Sequence, residues 1–246
     1  MSRSKLQFTL LQARNPGDPV REEEQAAFAE RLGVGVDAIC AIDILTEDLH
    51  LDCLENSDAL LVGGAGEHSV CTPVPGVRRM IEFLGQTADM GFPTFASCFG
   101  FQSLVTALGG EVISDEAHAE VGSTWIDLLD PASNDSLFGN LPSRFVAQQG
   151  HKDRASSLPS QAICFAKSDF APFQAIRIKG KPVYATQFHP ELTGSANRRR
   201  FERYLDHYGH VFGPEKAREM LDEFLPSPEA SGLLRRFADA LSKGTL

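Results

Sequence analysis

Short apolar runs alternate along this chain with longer stretches whose apolar positions recur at helical spacing. Residues 6–12, 37–44, 59–62, 95–97 and 182–188 read as strands, and apolar runs bounded by turn residues suit buried strands. Between the first two, Asp18 is placed to cap a helix that has Pro19 at its first position and Gly33 just past Leu32. Val77, Met80, Ile81 and Leu84 mark a second amphipathic helix, and Phe101, Leu104, Val105 and Leu108 a third. The alternation predicts an α/β fold with a mostly parallel central sheet flanked by helices. Residues 111–186 break into short β-like pieces and turns, with no internal repeat.

After Gly194 the pattern turns helical. Phe201, Tyr204 and Leu205 share one face, Pro214 opens a helix carrying Ala217, Met220, Leu221 and Phe224, and Ser227-Pro228 opens another carrying Leu233, Leu234, Phe237 and Leu241. The chain is therefore expected to divide into a main domain, residues 1–195, and a C-terminal helical extension, residues 196–246, packed on or beside it. Arg198, Arg199, Arg200 and Arg203 read as a solvated helix face, with an acidic or phosphorylated partner as the alternative.

Composition narrows the function classes. With 246 residues, 42% of them hydrophobic, the chain can bury a full core. A net charge of −10 argues against nucleic acid or an anionic membrane surface as partner. No apolar run approaches the roughly 20 residues of a membrane span, and the first residues lead into the first strand without a signal-like core. The five cysteines are odd in number and contain no Cys-x-x-Cys pair, which argues against a disulfide framework or a zinc site and for a reducing cytoplasm.

One of those cysteines carries candidate chemistry. Cys98 stands where a strand ends and a helix begins, an elbow that exposes a side chain at a sheet edge and turns the next backbone N–H groups toward it. A nucleophilic thiol needs a base and the base an orienting group. His189 and Glu191, two apart at the end of the last strand, can supply both if the stretch stays extended. The other four cysteines are expected to be buried packing residues. His68, His118, His207 and His210 have no motif around them and are expected at the surface or locally satisfied.

The run Ala96-Ser-Cys-Phe-Gly-Phe-Gln102 resembles the Gly-x-Cys-x-Gly-x-Gln elbow of class I glutamine amidotransferases, and His189-Pro-Glu191 resembles that family's His-x-Glu pair. Gly63-Gly-Ala-Gly66 is similar to its oxyanion loop. The likeness extends to Asn15-Pro-Gly-Asp18, Glu120-Val-Gly122 and His151-Lys-Asp153 ahead of Leu158-Pro159, and is strongest to stand-alone, GMP-synthase-like members. It implies a flavodoxin-like fold and a Cys98, His189, Glu191 triad that hydrolyses the side-chain amide of glutamine through a γ-glutamyl thioester. It also implies oxyanion donors at Gly64 and Phe99, substrate contacts from Gln102, Gly63 and His151, and no cofactor or metal.

Two departures shape the expectation. Ala96 replaces the first glycine of the elbow, adding a methyl group beside a neighbouring strand. The chain also lacks a Ser-Gly-Gly-x-Asp loop and a Gly-x-x-x-x-Gly-Lys-[Ser/Thr] loop, so the acceptor of ammonia is expected in a separate synthetase. Hydrolysis of a γ-glutamyl peptide or conjugate, and a catalytically silent binding or regulatory protein, are the alternatives. Oligomeric state is left open.

Overall fold

The computed structural model describes residues 3–206 and 212–246. Eleven strands and seven helices are described there. The first half runs β1 (Phe8–Ala13), α1 (Val20–Leu32), β2 (Ile39–Asp43), β3 (Ala59–Ala65), α2 (Pro75–Met90), β4 (Thr94–Ser97) and α3 (Phe99–Ala107). There follow β5 (Glu111–Ser114), β6 (Glu120–Leu128), β7 (Arg144–His151), β8 (Asp153–Ser157), β9 (Ala162–Lys167), β10 (Ala175–Ile178) and β11 (Val183–Thr186). The last helices are α4 (Gly194–Arg203), α5 (Pro214–Met220), α6 (Pro228–Ser231) and α7 (Leu233–Lys243).

Nine strands form one sheet in the order β2-β1-β3-β4-β11-β10-β9-β6-β7, and β5 pairs with β8 apart from it. The strands β2, β1, β3, β4 and β11 are parallel throughout. Beyond β11 the sheet continues antiparallel, which the short pieces between residues 111 and 186 foreshadow. All six residues of β1 are buried, as expected for a strand covered on both faces. Because side chains alternate, Leu10, Leu61, Phe95 and Tyr184 face one core while Leu11, Val62, Ala96 and Ala185 face the other.

The elements start and stop for local reasons. Helix α1 begins one residue later than expected, at Val20 with Pro19 in the N-cap position; Asp18 Oδ1 still accepts the Val20 N–H at 2.9 Å, and Gly33 ends that helix in the left-handed conformation at φ 75°. Pro75 opens α2 and Gly91 closes it at φ 68°. The second predicted strand is shorter than expected, because residues 36–38 form a 3-10 turn before β2. The predicted third C-terminal helix is divided: one turn, α6, precedes Gly232, and α7 follows it.

The C-terminal helices share the main core. Leu233, Leu234, Phe237 and Ala238 of α7 join Phe8, Phe28, Phe95 and Tyr184 in one cluster. The Phe237 ring lies edge-on to Phe95, centroids 5.5 Å apart, and to Tyr184 at 6.3 Å. Phe95 is two residues from the end of the strand that carries Cys98, so α7 supports the floor of the site. Truncating a fully buried phenylalanine removes its transfer free energy and leaves a cavity. Phe237→Ala is expected to lower unfolding stability by about 3–5 kcal/mol, read from urea denaturation midpoints.

Candidate active site

The site is built at the end of β4. Cys98 has φ 51° and ψ −103°, the one non-glycine residue with positive φ among those described. Such a conformation costs on the order of 1–3 kcal/mol and persists only where neighbours enforce it. Here the Cys98 N–H donates to the Thr186 carbonyl of β11 at 2.8 Å, and the Cys98 carbonyl accepts the Gln102 N–H at 3.0 Å. Gly100 is required next: a Cβ there would stand 2.7 Å from the Val62 carbonyl oxygen. Ala96 is accommodated, with its register to Val62 and Ala185 unbroken. Phe99 begins α3, so its N–H is among the first-turn donors that lack an intrahelical acceptor.

The candidate base, His189, follows β11. After Thr186 the chain leaves the sheet, and His189 to Leu192 forms a turn in which the Leu192 N–H donates to the His189 carbonyl at 3.2 Å. This corrects the extended geometry expected for His189 and Glu191. Pro190 occupies the second position of the turn, where its fixed φ is favoured. The outcome for the pair is the same, since His189 Nδ1 and Glu191 Oε1 lie 2.6 Å apart with both side chains buried. The His189 N–H is fixed in turn by the Gln148 carbonyl at 2.9 Å.

Cys98 and His189, remote in sequence, are brought near enough for the thiol to act on the imidazole. Burial opposes the charged imidazole, but the nearby Cys98 sulfur and the hydrogen-bonded Glu191 carboxylate outweigh it and push His189 up to about 10. Burial would also raise Glu191, yet the adjacent imidazolium and its hydrogen bond hold that carboxyl below the usual range. The proton is therefore favoured on His189 through neutral pH.

Further buried amides and carboxylates lie on α3, β6, β7 and β8. Gln102, far from being an exposed first-turn residue, is buried, and its Nε2 donates to the Asp153 carbonyl at 2.7 Å. Gln187 Nε2 lies 3.8 Å from Cys98 Sγ. His151 and Glu120 face each other across β6 and β7, with Nε2 and Oε2 3.2 Å apart but out of line for a hydrogen bond. Glu120 Oε2 instead accepts from Gln174 Nε2 at 2.6 Å. Glu120 Oε1, Gln149 Oε1 and Asp153 Oδ1 are buried acceptors with no donor.

Gly63 and Gly64 lie within β3 rather than after it. A Cβ on Gly63 would stand 2.7 Å from the Glu24 carboxylate, and one on Gly64 3.1 Å from His189 Cε1. The Gly64 N–H donates to Glu24 Oε1 at 3.0 Å. Glu24, fully buried on α1, also accepts from Arg14 Nη2 at 3.0 Å and Gln12 Nε2 at 2.9 Å. Burial alone would lower the Arg14 pKa, but the Glu24 charge and hydrogen bond, with Asp18 and Glu191, raise it. Sequence reasoning missed Gln12, Arg14 and Glu24. One signal was available: Glu24 stands one and two helical turns ahead of Phe28 and Leu32, an acid on the apolar face of α1.

The other titratable candidates are peripheral. His68 pairs with Asn15 Oδ1 at 3.1 Å, and exposed His118 with Asp115 at 3.0 Å. His207 and His210 lie outside the described residues. The four other cysteines are not buried as expected: Cys40 and Cys71 are exposed, and Cys53 and Cys164 intermediate. Cys40 sits on β2, the edge strand of the sheet, whose outer side has no further strand to cover it.

The chain is similar to known proteins. The chain is 29% identical over 154 residues to a glutamine-hydrolyzing GMP synthase subunit of Thermoplasma volcanium, covering 61% of this chain and 70% of that one. It is 34% identical over 105 residues to the glutamine-hydrolyzing GMP synthase of Thermosipho africanus, a match spanning 43% of this chain and 20% of that longer protein. A crystal structure of a glutamine amidotransferase from Thermotoga maritima superposes with a TM-score of 0.72 at 19% identity, covering 96% of this chain and 98% of that one. The model of the family described as glutamine amidotransferase class-I matches residues 29–204. That span holds the glycine-bearing end of β3, the Cys98 elbow and the His189 turn together, and the chain belongs to the class I glutamine amidotransferase family.

Proposed function

We propose that this protein hydrolyses the side-chain amide of glutamine with Cys98 as nucleophile, His189 as proton carrier and Glu191 as its orienting carboxylate. The observation that carries this reading is the buried His189 and Glu191 pair, 2.6 Å apart, with His189 near enough to feel the sulfur of Cys98, a residue held at positive φ. In the first half-reaction Cys98 Sγ adds to the amide carbon and the carbonyl π electrons move to oxygen. The tetrahedral adduct collapses with cleavage of the carbon–nitrogen bond, and His189 gives its proton to the departing nitrogen. Ammonia and a γ-glutamyl thioester result. Water then adds to the thioester, His189 takes its proton, and the carbon–sulfur bond breaks to give glutamate and the Cys98 thiolate.

The Phe99 N–H, at the start of α3, is one donor for the oxyanion in both steps, and the helix N-terminus adds favourable potential. Gly64 is the second. Gln102, Gly63 and His151 help form the substrate site, where the unpaired oxygens of Asp153, Glu120 and Gln149 suit the α-ammonium group of a γ-glutamyl compound. Ammonia passes to a separate synthetase, a division of labour suggested by a relative that is named as one subunit of GMP synthase.

Purified protein is expected to release ammonia and glutamate from glutamine in equal amounts. Cys98→Ala should bring that to background and His189→Ala should lower it by about 100- to 10,000-fold. Turnover of γ-glutamyl peptides without turnover of glutamine would replace glutamine with a conjugate as substrate. Asp153→Asn removes a charge facing the substrate ammonium and is expected to raise KM for glutamine by about 10-fold or more, with a smaller change in kcat.

The pH dependence follows from Glu191. A carboxylate favours the imidazolium, so Glu191→Gln is expected to lower the His189 pKa. The titration midpoint of the His189 ring, followed by NMR of its ring protons, should move from about 10 to lower pH. An unchanged profile would remove Glu191 from the triad.

A further inference from the structure

The Gly64 N–H, one of the two donors that the proposed reaction needs, is already committed. It donates to Glu24 Oε1 at 3.0 Å, and the carboxylate lies so close to the Gly63–Gly64 peptide that a Cβ on Gly63 would overlap it. The same peptide borders the catalytic base, since a Cβ on Gly64 would stand 3.1 Å from His189 Cε1. An ionised carboxylate is a stronger acceptor than a neutral amide or carbonyl oxygen. It therefore competes directly with a substrate oxygen for this donor.

We propose that Glu24 is a gate on the oxyanion hole. Its carboxylate holds the Gly64 N–H in the resting chain, and turnover requires that hydrogen bond to be exchanged for one to the oxygen developing on the substrate. The proposal deepens the glutaminase reading and rests on it.

Three features make the exchange practicable. Glu24 keeps acceptor bonds from Arg14 at 3.0 Å and Gln12 at 2.9 Å, so letting go of Gly64 does not leave a buried carboxylate without donors. Neither Gly63 nor Gly64 has positive φ, so the observed backbone does not itself demand glycine. Two consecutive glycines do allow the peptide between them to turn toward Cys98 without Cβ interference. Finally, α1, which carries Glu24, is tied by the neighbouring Glu23 to Arg203 of α4 through contacts of 2.6 and 3.1 Å. The gate is thus mounted on a helix whose far side is anchored to α4, the helix that follows the His189 turn.

A structural strut at the same position would behave oppositely. Removing a strut would slacken the loop and slow acylation, whereas removing a gate frees the donor and speeds it. Loss of one oxyanion donor typically costs about 100- to 1,000-fold in rate, which bounds what a closed gate can withhold.

The test compares wild type with Glu24→Gln in single-turnover acylation of Cys98 by a γ-glutamyl anilide, read by release of the aniline. Because Glu24→Gln leaves Arg14 without its carboxylate, the double variant Arg14→Gln/Glu24→Gln is measured alongside, with the melting temperature of each. The gate predicts acylation about 10-fold or more faster in at least one folded variant, expressed in kcat with little change in KM. It also predicts that the Gly64 amide resonance of wild type moves when Cys98 is acylated, as the carboxylate is exchanged for the acyl oxygen. Acylation that is slower or unchanged in folded variants, with a Gly64 resonance that stays in place, overturns the gate while leaving the glutaminase reading intact. Failure of wild type and both variants to acylate at all overturns that reading and the gate with it.

Discussion

The architecture of the site depends on the positive φ at Cys98. Left to itself a cysteine avoids this conformation, and the neighbouring strands supply what holds it: β11 accepts the Cys98 N–H, β3 sets the wall against which Gly100 packs, and α3 begins immediately beyond. Each contact comes from a different part of the chain, so the elbow forms only when the parallel block is assembled. A cost on the order of 1–3 kcal/mol is small beside the burial of both sheet faces, which is why a strained cysteine can be maintained here. The C-terminal helix α7 enters the same account, because its phenylalanine at position 237 packs on Phe95 of the strand that ends at the elbow.

A second constraint is electrostatic. Glu24, Glu191, Arg14 and His189 are all buried, and no member could stay charged alone. Arg14 answers Glu24 directly and lies near enough to Glu191 to feel its charge, while His189 answers Glu191 and Cys98. Glu191 and His189 are thereby coupled to the glycine-bearing end of β3 through charge as well as packing. Glu24, Arg14, Glu191 and His189 form one compensated cluster.

Much of this was legible in the sequence for local reasons. The strand-to-helix switch at Cys98 and the caps at Asp18 and Gly33 depend on residues within a turn of each other, so spacing alone reveals them. Residue type and a two-residue offset mark His189 and Glu191 as candidates, and the family resemblance supports the pairing, but only the fold brings His189 to Cys98. The turn at His189 to Leu192 was read as extended because a two-residue offset suits a strand, while Pro190 favours the turn and still leaves His189 and Glu191 in contact. The exposed cysteines were misread for a different reason. Small apolar side chains are usually buried, but the edge position of β2 is a property of sheet order, which no local pattern encodes.

Glu24 shows where pattern reading can be pushed further. An acid on the apolar stripe of a helix, ahead of Phe28 and Leu32, must either distort the stripe or find buried donors. Its donors here are a strand-end glutamine, an arginine just past that strand and a backbone N–H from a glycine pair, none of them near Glu24 in sequence except through the turn that follows β1. The glycines at 63 and 64 therefore answer two neighbours at once, the Glu24 carboxylate on one side and the His189 ring on the other. The approach of these two side chains favours glycine at both positions, so the space beside the end of β3 is shaped by Glu24 and His189.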